Sequence, residues 1–193
     1  MSDKIIKKNF LEKYTNFVKK NFKILIILII AVLILLCSFF FYKNIQDRNN
    51  IKVAEEFTQA SILVKQKKIK KSKLLLENII NKNHQFYSPL ALYLLIDNNI
   101  ETESTKIIIF FDKILKNNSL DEENSNLIKI KKAVYLINLD EENLIVETLN
   151  PIINSRSVWR KIAINLISDY FLSKNQKSKA KEYMGLLSTE KNK

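Results

Sequence analysis

Residues 24–42 read ILIILIIAVLILLCSFFFY, 19 residues without a charge, a glycine or a proline. At about 1.5 Å per residue a helix of this length covers roughly 28 Å, close to the hydrocarbon thickness of a bilayer. Most of its side chains are Ile, Leu, Val or Phe, each favouring insertion at mid-membrane by roughly 0.3–0.6 kcal/mol. Lys23 and Lys43 close the stretch on either side, where their stems can reach the headgroups. A core helix of a soluble domain rarely runs this long without a polar face, so residues 24–42 are expected to form a single membrane span.

Orientation follows from the flanks. Lys4, Lys7, Lys8, Lys13, Lys19, Lys20 and Lys23 precede the span, whereas residues 43–62 after it hold only Lys43, Arg48 and Lys52. The positive-inside rule therefore places residues 1–23 in the cytoplasm as a basic tail and residues 43–193 across the membrane. A cleaved signal peptide fits poorly, because the apolar core exceeds the usual ~7–15 residues. It also ends in Phe39, Phe40, Phe41 and Tyr42 rather than small residues. Within the tail, Ile6, Phe10, Tyr14, Phe17 and Val18 recur at helical spacing. That pattern suits either a basic amphipathic helix on the inner leaflet or an ordinary positive flank.

The remaining length suffices for one modest domain with a real core. The chain carries a net charge of +12, of which the tail supplies seven lysines against Asp3 and Glu12. The lysines beyond it are spread thinly among Asn and Ile, which reads as compositional bias rather than a patch for nucleic acid. Cys37 is the sole cysteine and sits inside the span, so no disulfide is expected. One glycine and two prolines argue against β-sandwiches and nucleotide folds, leaving an all-α chain.

Catalysis finds no footing. His84 is the only histidine, with no nucleophile motif around it, and Gly185, the only glycine, cannot supply a phosphate loop. Asp121–Glu123 and Asp140–Glu142 are acidic triplets placed where helix N-termini favour negative charge. No catalytic residue, cofactor, metal or small-molecule substrate is expected.

Beyond the span no helix breaker occurs up to Lys68, so the span and the next helix are expected to form one nearly continuous helix, weakest at Asn49-Asn50. Val53, Phe57, Ala60 and Val64 form its apolar stripe. Further helices are expected over about 70–81, from Ser88-Pro89 to 97, and over 103–116. Others follow from the capping-box spacing at Ser119 to about 138, over about 140–149 with Pro151 as a break, from Ser157 to about 174, and over 176–187. The first helices of successive pairs start near 53, 89, 121 and 157, a spacing of about 32 to 36. Two helices per unit at that period is the tetratricopeptide pattern, in which stacking buries apolar faces that one pair cannot bury alone. Ser72 and Ala180 supply small residues early in second helices, and Lys67, Asn99 and Asn175 stand where glycine is usual.

The lead-in FLEKYTNFVKKNFK, the span, the polar-flanked helix after it and the final block NPIINSRSVWRKIAINLISDYFLSKNQKSKAKEYMGLL together resemble the YfgM-like family. Within that block Asn150, Pro151, Trp159, Arg160, Ala163 and Ala180 carry the likeness. The resemblance implies a single-pass protein of the bacterial inner membrane, with a tetratricopeptide-like α-solenoid in the periplasm over residues 43–193. It further implies a role beside the SecYEG translocon, with translocon subunits, exported chains or periplasmic chaperones as partners. Anchored domains of this kind also serve as scaffolds in cell division or cytochrome maturation. Trp159 and Arg160 are the only candidate partner-binding residues, Trp159 reading more readily as core and Arg160 as a carbonyl cap.

Overall fold

The structure is a computed structural model and describes residues 2–188, without the side chains at 2–20, 22, 25, 28, 29, 42 and 188. It is all-helical among the described residues: α1 (Ser2–Lys65), α2 (Ile69–Asn81), α3 (Tyr87–Asp97), α4 (Ser104–Leu115), α5 (Glu122–Leu139), α6 (Glu142–Ile153), α7 (Arg160–Ser173) and α8 (Lys177–Ser188). The chain divides into two compact units, Met1–Lys52 and Val53–Lys193.

The described residues of the first unit lie within α1. Ile24, Leu33, Leu35, Phe40 and Phe41 all stand exposed, and Ser38 donates its hydroxyl to the Ile34 carbonyl at 2.8 Å. A helix whose described apolar side chains face outward, and whose Ser38 hydroxyl is satisfied by its own backbone, suits a hydrocarbon surround. It is long and apolar enough to cross a membrane. The helix passes Asn49-Asn50 without a break. The amphipathic pattern of Ile6, Phe10, Tyr14, Phe17 and Val18 lies outside the described side chains.

In the second unit each helix from α2 onward packs on the next, and α5 also touches α7. Its apolar core falls into two clusters that meet along α5. Leu76, Leu92, Leu95, Phe111 and Ile128 belong to one, and Ile130, Leu136, Leu149, Ile167 and Phe171 to the other. The last turns of α1 join the first cluster through Val53 and Ala60, and the Phe57 ring lies 5.6 Å from that of Tyr87. The helices α2, α4, α6 and α8 bury the same position, their fourth residue: Ser72, Ile107, Ile145 and Ala180.

Four turns share one geometry. Lys67, Asn99, Asp140 and Asn175 follow α1, α3, α5 and α7 with φ of 57°, 49°, 61° and 60°. At each, the amide of the left-handed residue bonds back three residues and the next amide bonds back five: Lys67 to Val64 and Lys68 to Leu63, and so on through Gln176 to Phe171. This is the Schellman arrangement, which satisfies the last orphan carbonyls of a helix. Asp140, read from the sequence as helix-start charge, is thus a turn residue. Hydrogen bonds then recur between residues 34 positions apart: Asn117 Nδ2 to the Asn83 carbonyl (2.7 Å), Ser157 Oγ to Glu123 (2.6 Å) and Gln176 Nε2 to Glu142 (3.1 Å).

Several helix boundaries differ from the sequence expectation. Ser88 is not an N-cap; its hydroxyl donates to the Ile79 carbonyl (2.8 Å), and α3 starts earlier because His84 Nδ1 accepts from the Phe86 and Tyr87 amides (3.1 and 3.2 Å). Asp121, not Ser119, caps α5, accepting from the Asn124 amide at 2.8 Å. Pro151 stays inside α6, exposed, and ends nothing. Ser157 precedes α7, accepting from the Trp159 amide at 3.1 Å.

Candidate protein-binding cleft

Helix α3, YSPLALYLLID, has a single charge at its last residue. Ala91, Leu92 and Leu95 are buried in the first core cluster; Tyr93 and Ile96 pack against it and, with Leu90, keep a half-exposed side. These last three face α5 across a cleft. Near the start of both helices a cavity of about 250 Å³ is lined by Phe86, Leu90 and Tyr93 and, opposite, by Leu120, Leu127 and Ile128. Further along, a second cavity of about 270 Å³ is lined by Tyr93, Ile96, Val134 and Tyr135, with Asp97 and Lys131. Tyr93 borders both. Phe86 is 60% and Val134 44% exposed, so apolar surface is offered to solvent at both ends.

The polar groups here are few. The Tyr93 hydroxyl is enclosed and has no hydrogen-bond partner among the described residues. Burial pushes its pKa to about 12, so it is a neutral donor at any physiological pH. Lys131 Nζ lies 5.8 Å from the Tyr93 ring centroid and forms no ion pair among the described residues. The Asp121 carboxylate is engaged by its own helix; the Asn124 amide and side chain (2.8 and 2.7 Å) hold it below the usual carboxylate range. The His84 cap fixes the first turn of α3 and with it Phe86 at the cleft mouth.

Away from the cleft, ion pairs tie α2 to α4. Glu101, 5% exposed, lies 3.0 Å from Lys73 and 3.2 Å from Lys106, and accepts from the Thr102 and Glu103 amides. Burial alone would raise its pKa; Lys73, the Glu103 amide and Lys106 outweigh that and hold it at about 2.

Trp159 and Arg160 lie elsewhere. Trp159 is half-buried against the second core cluster. Arg160 donates from Nε to the Ile153 carbonyl (2.7 Å) and from Nη2 to the Leu186 carbonyl (3.2 Å), tying the ends of α6 and α8 to α7. The cleft residues Phe86, Leu90, Tyr93 and Lys131 escaped the sequence reading. The one signal for them was that α3 is apolar on every side, one more apolar stripe than a single core contact uses. No group of three or more His, Cys, Asp or Glu placed to hold a metal occurs among the described residues. Comparison with protein-family models, with curated proteins and with solved structures gives no match to this chain.

Proposed function

We propose that this chain is a membrane-anchored protein-interaction module of the bacterial envelope, assisting export or envelope protein folding beside the Sec translocon. Residues 1–23 lie in the cytoplasm, residues 24–42 cross the inner membrane, and the helices beyond form a tetratricopeptide-like α-solenoid in the periplasm. The observation that carries this reading is the α3–α5 cleft, an open apolar surface with exposed Phe86 and Val134. The solenoid is supported by the four equivalent turns and the 34-residue hydrogen-bond spacing. Lysine distribution supports the orientation, and the resemblance to the YfgM-like family supports the translocon as neighbour.

Photo-activatable residues at Phe86 and Val134 in intact cells test the reading. Adducts with translocon subunits, exported chains or periplasmic chaperones are expected; their absence overturns the export role. A phosphatase reporter fused after residue 60 should be active and a cytoplasmic reporter silent there, and the reverse would overturn the localisation.

A further inference from the structure

Lysine is spread thinly along most of the chain, but six of the nine residues 65–73 are lysine. They gather where α1 turns into α2: Lys65 ends α1, Lys67 and Lys68 make the turn, and Lys70, Lys71 and Lys73 open α2. Residues 65–71 are all exposed. Lys73 pairs with Glu101 at 3.0 Å, while Lys65, Lys67, Lys68, Lys70 and Lys71 form no ion pair among the described residues. The neighbouring carboxylates are committed elsewhere. Glu56 pairs with Lys82, Glu77 lies 2.7 Å from Lys106, and Lys106 also meets Glu101 at 3.2 Å. Glu103, on the same turn as Glu101, pairs with none of the five.

Local physics opposes this placement. Lys67 takes a φ of 57°, where the three equivalent turns use Asn99, Asp140 and Asn175, residue types that tolerate the conformation better. Lys68, Lys70 and Lys71 crowd the start of α2, the end of a helix that favours acidic groups. By contrast, α5 opens with Glu122 and Glu123, and α6 with Glu142. Like charges three and four residues apart add repulsion. A turn that breaks three local preferences, with no ion-pair partner among the described residues in return, marks a functional surface.

Its neighbours narrow the chemistry. Ile69 is 43% and Leu74 73% exposed, and Leu74 shares a helix face with Lys70 and Lys71. Residues 58–85 contain no Arg, Phe, Tyr or Trp. The turn therefore offers no ring for stacking bases, no guanidinium fork for phosphate and no aromatic anchor for a headgroup layer. Lysine point charges with aliphatic side chains among them match carboxylates interspersed with apolar side chains. We infer that the α1–α2 turn docks an acidic segment of a partner polypeptide. Its carboxylates lie against the five lysines and its apolar side chains against Ile69 and Leu74. This rests on the interaction-module reading and adds to it a second contact, selected by charge.

The test uses the full chain in nanodiscs of zwitterionic lipid and a fluorescein-labelled nonapeptide of six glutamates and three leucines. Fluorescence anisotropy should show saturable binding that weakens about tenfold or more between about 0.05 and 0.5 M salt. Lys70→Glu combined with Lys71→Glu should weaken binding at low salt by about tenfold or more. The melting temperature of that variant should be unchanged or higher, because acidic groups suit the start of a helix. Leu74→Ser, at an exposed position, should weaken binding about threefold. Lys161→Glu combined with Lys181→Glu makes the same change in net charge at exposed positions on α7 and α8, and should leave binding within about twofold. Absent binding, no loss in the Lys70 and Lys71 variant, an equal loss in the Lys161 and Lys181 variant, or no loss in Leu74→Ser would overturn the inference. So would tighter binding of a thymine oligonucleotide, or of phosphatidylglycerol vesicles, than of the peptide. If the peptide fails to bind while Phe86 still cross-links to translocon subunits in cells, the interaction module stands and this docking surface is wrong. If the peptide binds and the cross-links are missing, the docking surface stands and the export setting is wrong.

Discussion

Four turns of identical backbone geometry carry four non-glycine residues, which makes glycine substitution a graded test of the turn assignment. Lys67, Asn99, Asp140 and Asn175 all adopt positive φ and make the paired back-bonds of a Schellman turn. An L-residue in the left-handed region costs roughly 1–2 kcal/mol, less for Asn and Asp, whose short polar side chains bond locally. Glycine removes that cost but adds about 0.4–1 kcal/mol of unfolded-chain freedom. Lys67 is exposed, so Lys67→Gly should stabilise by about 0.5–1 kcal/mol, raising the melting temperature by roughly 2–4 °C. Asn99→Gly and Asn175→Gly should gain roughly 0–0.5 kcal/mol, since Asn already tolerates the conformation. Asp140 is different. Its carboxylate accepts from the Tyr170 hydroxyl at 2.9 Å and pairs with Lys174 at 2.6 Å. Asp140→Gly deprives the buried Tyr170 of that acceptor, and the loss should cancel the backbone gain or reverse it. Thermal unfolding of the full chain in detergent, followed by far-UV circular dichroism, ranks the four. A Lys67→Gly protein no more stable than the parent, or an Asp140→Gly protein raised as much as Lys67→Gly, would refute the reasoning.

Other perturbations address single contacts. Gly185, the only glycine, lies inside α8 with nothing within 4 Å of an added Cβ, so Gly185→Ala should raise stability by about 0.5–1 kcal/mol in the same melt. His84 is held below its ordinary pKa of 6.5 by burial, and its Nδ1 must stay unprotonated to accept from the Phe86 and Tyr87 amides. The unfolded chain therefore takes up the proton first; the contribution is whole above pH 6.5 and is lost as pH falls through the lower folded-state value. Urea midpoints at pH 7.5 and 5.5 should differ less in His84→Asn, which can accept but does not titrate; an equal difference would remove His84 from the cause. Glu101→Gln should cost about 1–3 kcal/mol at neutral pH by breaking a buried, charge-assisted network. In the parent, Glu101's contribution is whole above pH 4.5 and fades toward about 2. The gap between parent and Glu101→Gln in urea should therefore narrow at pH 3, and a constant gap would count against the ion pairs.

Much of the architecture could be read from periodicity. The eight helices of the described residues, and the long apolar stretch of the first, follow from where Ile, Leu and Phe recur. Lys67, Asn99 and Asn175 could be singled out as residues standing in for glycine, and all three take the left-handed conformation. The misread boundaries have a common cause, since each depended on a partner distant in sequence or on a competing local cap. Ser88 resembles an N-cap, but its hydroxyl is drawn to the Ile79 carbonyl, nine residues back. Ser119 fits a capping box, but Asp121 two residues on offers a stronger acceptor to the Asn124 amide. Pro151 sits ten residues into a short helix with its ring on the exposed side. It removes one intrahelical bond close to the end and breaks nothing.

The cleft was hidden for a different reason. Periodicity tells how many apolar stripes a helix has, not how many neighbours it will meet. α3 meets α2 and α4 through Ala91, Leu92 and Leu95, and that contact absorbs one side of it. Leu90 and Tyr93 would be ordinary core residues had α5 closed fully against them. Instead α5 places exposed Lys131 and Val134 on the facing side, and the enclosed Tyr93 hydroxyl is left without an acceptor. A helix that serves only as core gains nothing from an unsatisfied hydroxyl, which costs about 1–3 kcal/mol where phenylalanine would cost nothing. Tyr93→Phe should therefore leave the melting temperature of the full chain unchanged or higher in the same melt, and a clear fall would count against the unsatisfied hydroxyl.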